Sequence, residues 1–126
     1  MPALEPVAAW RVVATPAAID AARWRGRDVD VLRIAPDEVI GIYATGVDVD
    51  DPDAIVEPET GFSAAVVDPV MQPLADHTDW PMPDEWNVFV QGKIAGVPAK
   101  LLYDDPMLLV VQTAYADELE RRLGWR

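Results

Sequence analysis

Residues 28–44 read DVDVLRIAPDEVIGIYA, and the way this stretch turns back on itself decides the fold class. Val29, Val31, Leu32 and Ile34 lead into Pro36-Asp37, and Val39, Ile40, Ile42 and Tyr43 lead out. β-Branched side chains suit a pleated, half-buried surface. Proline pre-sets the backbone angle at the second position of a tight turn, and aspartate is at ease beside it. The pattern predicts two antiparallel strands, 29–35 and 38–44.

Upstream, Pro6–Ala14 is apolar and β-branched and reads as a first strand. Thr15 offers a capping hydroxyl, Pro16 suits the first helical position, and Gly26 is placed to end a helix over 16–25. Arg23 and Arg25 would then lie in its last turn, where cations suit the carbonyl end. Downstream, Thr45–Gly61 is turn chemistry with a short strand at Ala54–Glu57, and Phe62–Val67 reads as another strand. Four prolines interrupt residues 68–85 (Pro69, Pro73, Pro81 and Pro83), which predicts an excursion with a helical turn near Pro73–His77. β-Character resumes at Trp86–Gly92, with Gly92 and Gly96 marking a bend, bulge or hairpin end. Pro98–Tyr103 and Met107–Gln112 flank Asp104-Asp105-Pro106 as a second hairpin. Tyr115, Leu119 and Leu123 share one face of a closing helix, 114–123. Thr113 is its expected cap, Gly124 its stop, and Trp125 is expected to fold back on Leu119. Asp117–Arg121 and Glu118–Arg122 are its expected i,i+4 pairs.

The class is therefore α+β. One domain spans 1–126, with the Pro-rich excursion inside it. A mainly antiparallel sheet of about five to six strands carries the 16–25 and 114–123 helices on one face. Its core should hold Val31, Ile40, Ile42, Phe89, Leu101, Leu108, Val110, Leu119 and Leu123.

Composition narrows the function. A chain of 126 residues with 51% hydrophobic residues has enough apolar surface for a core and lacks the signature of disorder. With no cysteine, disulfides, thiolate metal sites and cysteine nucleophiles are excluded. The start, MPALEPVAAWR, has Glu5 and two prolines where a signal peptide needs a basic region, and no apolar run approaches the ~20 residues that span a bilayer. A cytoplasmic protein is expected. Eight Arg against two Lys, with abundant Ala, Val and Asp, suggest a GC-rich bacterial genome.

The net charge of -12 is unevenly placed. From Ile34 to Gly92 there is no Lys or Arg, yet these 59 residues hold 13 of the 22 carboxylates. Such a belt repels nucleic acid and anionic lipid and attracts basic surfaces. Arg23, Arg25, Arg27 and Arg33 form a small basic patch, better read as complementary to the belt than as a nucleic-acid site.

No catalytic constellation stands out. Asp48, Asp50 and Asp53, with Glu59 twelfth from Asp48, echo a calcium loop. Pro52 occupies a ligand position, however, and Asp53 stands where the sharp turn needs glycine. A solvated acidic loop is the better reading. Ser63 is the sole serine and His77 the sole histidine, in a chain too short for a nucleophile-elbow scaffold. His77 beside Asp76 and Asp79 has acid–base potential, but a lone histidine in a Pro-rich loop is more often a surface residue. The neighbouring carboxylates Asp37–Glu38 and Asp84–Glu85 diverge and form no dyad. No phosphate-loop pattern exists among the seven glycines, so no nucleotide and no cofactor is expected.

Five tryptophans are many for this length. Trp80 and Trp86 bracket Pro81-Met82-Pro83 inside the acidic belt. As exposed aromatics they would anchor a partner; as buried ones they would pin the loop to the sheet. Pinning weighs more, because so much apolar area must be buried somewhere.

Val31–Ile42, VLRIAPDEVIGI, resembles a strand–PDE–strand segment of the gamma subunit of heterotetrameric sarcosine oxidases and related folate-binding T-protein-like domains. That resemblance implies a non-catalytic accessory subunit of a flavin- or folate-dependent one-carbon oxidoreductase complex, and no functional residue carries over. The leading expectation is a non-enzymatic interaction protein. It would meet a basic partner surface through Asp48, Asp50, Asp51 and Asp53, with Trp80 and Trp86 as anchors, and it leaves a homodimer open.

Overall fold

The structure, a computed structural model, describes residues 2–126. Its elements in chain order are β1 (Glu5–Pro6), β2 (Ala9–Val13), α1 (Pro16–Asp20), β3 (Arg23–Arg25), β4 (Asp30–Ala35), β5 (Glu38–Ile42), β6 (Gly46–Asp48), β7 (Ile55–Glu59), β8 (Phe62–Val67), β9 (Val88–Ile94), β10 (Val97–Tyr103), β11 (Met107–Gln112) and α2 (Ala116–Arg122). Two 3-10 turns, Ala75–His77 and Thr113–Tyr115, complete them. The α+β class and the antiparallel pairing match the sequence-based reading. The strand count does not: eleven strands form among the described residues, in three sheets, where five to six in one sheet were expected. Part of the surplus is three strands of two or three residues (β1, β3 and β6), too short to leave a periodic signal in the sequence.

The chain divides into two compact units. One is residues 7–60; the other is residues 61–126 together with the amino-terminal segment through Pro6. The division falls at Thr60/Gly61, and the Pro-rich stretch lies inside the second unit rather than at a boundary.

In the first unit, β4 and β5 form the expected hairpin around Pro36-Asp37, with Ala35 opposite Glu38 and a bulge between Arg33 and Ala35. The sheet order is β4-β5-β2-β7, all antiparallel. Val12 and Val39 face each other across β2 and β5 and cluster with Ala18 and Ile19 of α1. Thr15 caps α1 as expected, its hydroxyl accepting from the Ala18 amide at 3.2 Å. The helix stops at Asp20 instead of reaching residue 25. Arg23–Arg25 is drawn out as β3 and pairs with β6, which outweighs a weak helical preference. The ring of Trp24 lies against the backbone of Gly41, where any Cβ would collide with it. Val31, assigned to the core, is 44% exposed, because adjacent strand residues point to opposite faces and Leu32 is the one that is fully buried.

In the second unit, the sheet order is β1-β8-β11-β10-β9. β9 and β10 join through Ala95-Gly96, both with positive φ (50° and 79°), the geometry of a tight hairpin turn. β10 and β11 join around Asp104-Asp105-Pro106, as the sequence reading expected. Leu101, Leu109, Val111 and Leu119 are buried together, and Trp125 joins the same cluster. Phe89 and Leu123 are only half-buried. Thr113 does not cap α2; its hydroxyl is hydrogen-bonded to that of Ser63 at 2.9 Å. Glu118 takes both Arg121 (2.8 Å) and Arg122 (2.7 Å), and Asp117 pairs with Arg126 rather than Arg121. The two helices serve the cores of different units rather than sharing one sheet face. Among the described residues, no helix is long and apolar enough to cross a membrane.

Candidate interaction surfaces

The acidic belt falls into two parts with different surroundings. In the first unit, β3 and β6 form a two-stranded ribbon with Arg23 opposite Asp48 and Arg25 opposite Gly46. The ion pairs run diagonally: Arg25 Nη1 to Asp48 Oδ1 at 2.6 Å, and Arg23 Nη1 to Asp50 Oδ2 at 3.3 Å. Gly46 makes the first of these feasible, since a Cβ there would strike the Arg25 guanidinium. The bond from Arg25 holds the Asp48 carboxyl below the usual carboxylate range, and Asp50 likewise raises the affinity of Arg23 for its proton. Asp51 uses both oxygens on backbone amides, those of Thr15 (3.1 Å) and Asp53 (2.9 Å). Of the four candidate aspartates, only the Asp53 carboxylate has no partner among the described residues.

A second device lies on the sheet of the same unit. Arg11 on β2 stands between β5 and β7 and bridges Glu38 (2.7 Å) and Glu57 (3.0 Å). Arg11 lies directly opposite Glu57 in the ladder, so the pair is a cross-strand contact. The hydrogen bond that Arg11 donates to Glu38 leads the causes that raise the Arg11 pKa. Arg33 meets Asp20 at 2.7 Å. The acidic belt is therefore not left unanswered in this unit. Bases from outside the belt neutralise Glu38, Asp48, Asp50 and Glu57.

The excursion of the second unit is built differently. Asp68 Oδ1 accepts the amides of Val70 (2.8 Å) and Met71 (3.2 Å) and fixes a tight bend, with those two side chains 83% and 73% exposed. The Ala95 amide donates to the His77 carbonyl at 2.6 Å. Trp80 Nε1 donates to the Lys93 carbonyl at 2.9 Å, and its ring lies against Gly92, where a Cβ would come within 2.7 Å of Nε1. Trp80 is thus a pin packed on the core, as the weightier of the two readings expected.

Trp86 behaves oppositely. It is 54% exposed and stacks on Tyr103, with ring centroids 5.3 Å apart and planes 14° from parallel. The residues on either side of it in the chain line an open groove of about 470 Å³, formed by Met82, Pro83, Asp84, Glu85, Val88 and Val90. Asp76, Asp79, Asp84 and Glu85 have no ion-pair partner among the described residues. Tyr103 was missed in the sequence. Its signal was the β9–β10 register: a turn at Ala95-Gly96 puts Tyr103 opposite Val88, two residues from Trp86.

The remaining candidates are not assembled. Ser63 is fully buried in mid-strand, with its hydroxyl on Thr113 and no elbow around it. His77 sits in a 3-10 turn with neither Asp76 nor Asp79 within ion-pair reach. No protein-family model matches this chain, and no curated protein matches it.

Proposed function

We propose that this chain is a non-enzymatic interaction module whose contact surface is the Trp86 groove, not the Asp48–Asp53 loop. One observation carries the reading: an exposed tryptophan, stacked on Tyr103, directly follows in the chain the two carboxylates of an apolar groove, and those carboxylates have no internal cation. Rigid, exposed aromatics beside a pocket supply contact area at little ordering cost. Unanswered carboxylates at the rim favour a basic partner and speed its encounter. The ligand is then a basic protein segment that places an apolar side chain against Met82 and Val90 and cations against Asp84 and Glu85.

The test is a titration of the protein with a fluorescent peptide carrying several Arg or Lys around one Leu or Trp, beside an acidic peptide of equal length. The basic peptide should bind saturably, and more weakly as salt rises. Trp86→Ala should weaken it about thirtyfold, the scale of an interface hot spot. Equal binding of both peptides, or no effect of Trp86→Ala, would count against the proposal.

A further inference from the structure

The chain has two lysines, Lys93 and Lys100, and both line one cavity of about 300 Å³. Strand register brings them together. Lys93 lies opposite Pro98 and Lys100 opposite Gln91 in the β9–β10 ladder, and directly opposed residues share a face. Lys100 also lies opposite Val110 on β11, while Phe62 on β8 lies opposite Gln112. The cavity is therefore lined by the aromatic ring of Phe62, by Pro98, and by two lysines and two glutamines, over the fully buried strand residue Val110.

The charge pattern makes this unusual. Seven of the eight arginines are ion-paired with carboxylates: Arg11, Arg23, Arg25, Arg33, Arg121, Arg122 and Arg126. Neither lysine is, in a chain where 22 carboxylates face 10 bases. The Lys100 ammonium meets only neutral groups, Gln91 Oε1 at 3.3 Å and the Phe62 ring at 5.6 Å from its centroid. The Lys93 ammonium has no partner among the described residues. Two lysines unanswered by the protein, lining one cavity beside Phe62 and Pro98, form a site for an anion that also has an apolar body. The volume sits at the lower end of small-molecule sites.

We infer that this cavity binds a small organic carboxylate. Its carboxylate lies between Lys93 and Lys100, and its apolar body rests against Phe62 and Pro98. The Gln91 and Gln112 amides serve polar substituents. This site is separate from the Trp86 groove and stands without the proposal made for that groove.

The test is a backbone-amide NMR titration with three probes: benzoate, its neutral isostere benzamide, and inorganic phosphate. Benzoate should give saturable shifts at Phe62, Lys100, Val110 and Gln112, with benzamide and phosphate each binding about tenfold more weakly, since each lacks one half of the match. Lys93→Gln and Lys100→Gln should each weaken benzoate about tenfold, with the rest of the spectrum unchanged. Lys100→Arg should restore most of the affinity lost in Lys100→Gln. The inference is overturned if benzoate gives no saturable shift at tens of millimolar, or if its shifts map away from these strands. It is equally overturned if benzamide or phosphate binds as tightly, or if the Lys→Gln variants bind unchanged.

Discussion

The stretch around Asp48–Glu57 and the stretch around Asp76–Glu85 carry the same sign, and the fold treats them in opposite ways. In the first, the carboxylates are answered: Asp48 by Arg25, Asp50 by Arg23, and Glu57 by Arg11. In the second, what the fold answers is an aromatic side chain, Trp80, while Asp76, Asp79, Asp84 and Glu85 keep no ion pair among the described residues. Charge density along a sequence is therefore a poor guide to the field at a surface. Strand pairing decides which bases arrive beside which acids, and two- and three-residue strands were enough to do it here.

Each region is also held by a tryptophan laid on a glycine, Trp24 on Gly41 and Trp80 on Gly92. This sets the largest expected effect. Trp80→Ala removes an indole bond and packing area and should cost on the order of 3 kcal/mol in urea unfolding. Amide exchange should accelerate around residues 75–95. Gly92→Ala should reproduce that acceleration without touching Trp80, because the new Cβ displaces the ring. Unchanged exchange in both variants would show that Trp80 does not fasten the excursion. Trp86→Ala, by contrast, should leave the unfolding midpoint nearly unmoved, which separates an anchor for a partner from a pin for the chain.

Ion pairs come next and are smaller. Arg11→Ala strands Glu38 and Glu57 on the two strands that flank β2 and should cost about 1 kcal/mol, as the pair with Glu38 is only partly exposed. Arg25→Ala touches a more exposed pair, and its main effect should be on titration. The Asp48 pKa is lowered in the folded state, so its contribution to stability is present above the ordinary carboxylate pKa. That contribution is lost as pH falls through the lowered value. An NMR titration of the Asp48 carboxyl should show its midpoint rise towards the ordinary carboxylate range in Arg25→Ala. A midpoint that stays put would mean that Arg25 does not hold Asp48 in solution. Glu118, lowered chiefly by Arg122, should respond to Arg122→Ala in the same direction.

Much of the fold was legible because its longer strands follow local rules. The β4–β5 hairpin lay in its Pro-Asp turn, and Phe62–Val67 was placed to the residue. Where pairing overrode propensity, the reading failed: Arg23–Arg25 left the helix to meet Gly46–Asp48 across a gap that no local pattern reveals. Val31 was assigned inward because adjacent apolar residues give no phase for alternation. At the candidate site, the excursion and the pinning role of Trp80 were readable from proline density and aromatic size. The exposure of Trp86 was not, because it depends on Tyr103 arriving from the neighbouring strand. Nor was the neutralisation of Asp48 and Asp50 by particular bases, although Arg23, Arg25, Arg27 and Arg33 read as a patch complementary to the belt as a whole.

The account turns on one contrast, which a single peptide titration can measure. With the basic, Leu- or Trp-centred peptide, affinity is compared for Asp48→Asn/Asp50→Asn and for Asp84→Asn/Glu85→Gln. The first pair should leave affinity within about twofold, and the second should weaken it about tenfold, two unscreened rim charges at somewhat under 1 kcal/mol each. Equal losses, or a larger loss from the Asp48/Asp50 pair, would contradict the assignment of the contact surface to the Trp86 groove.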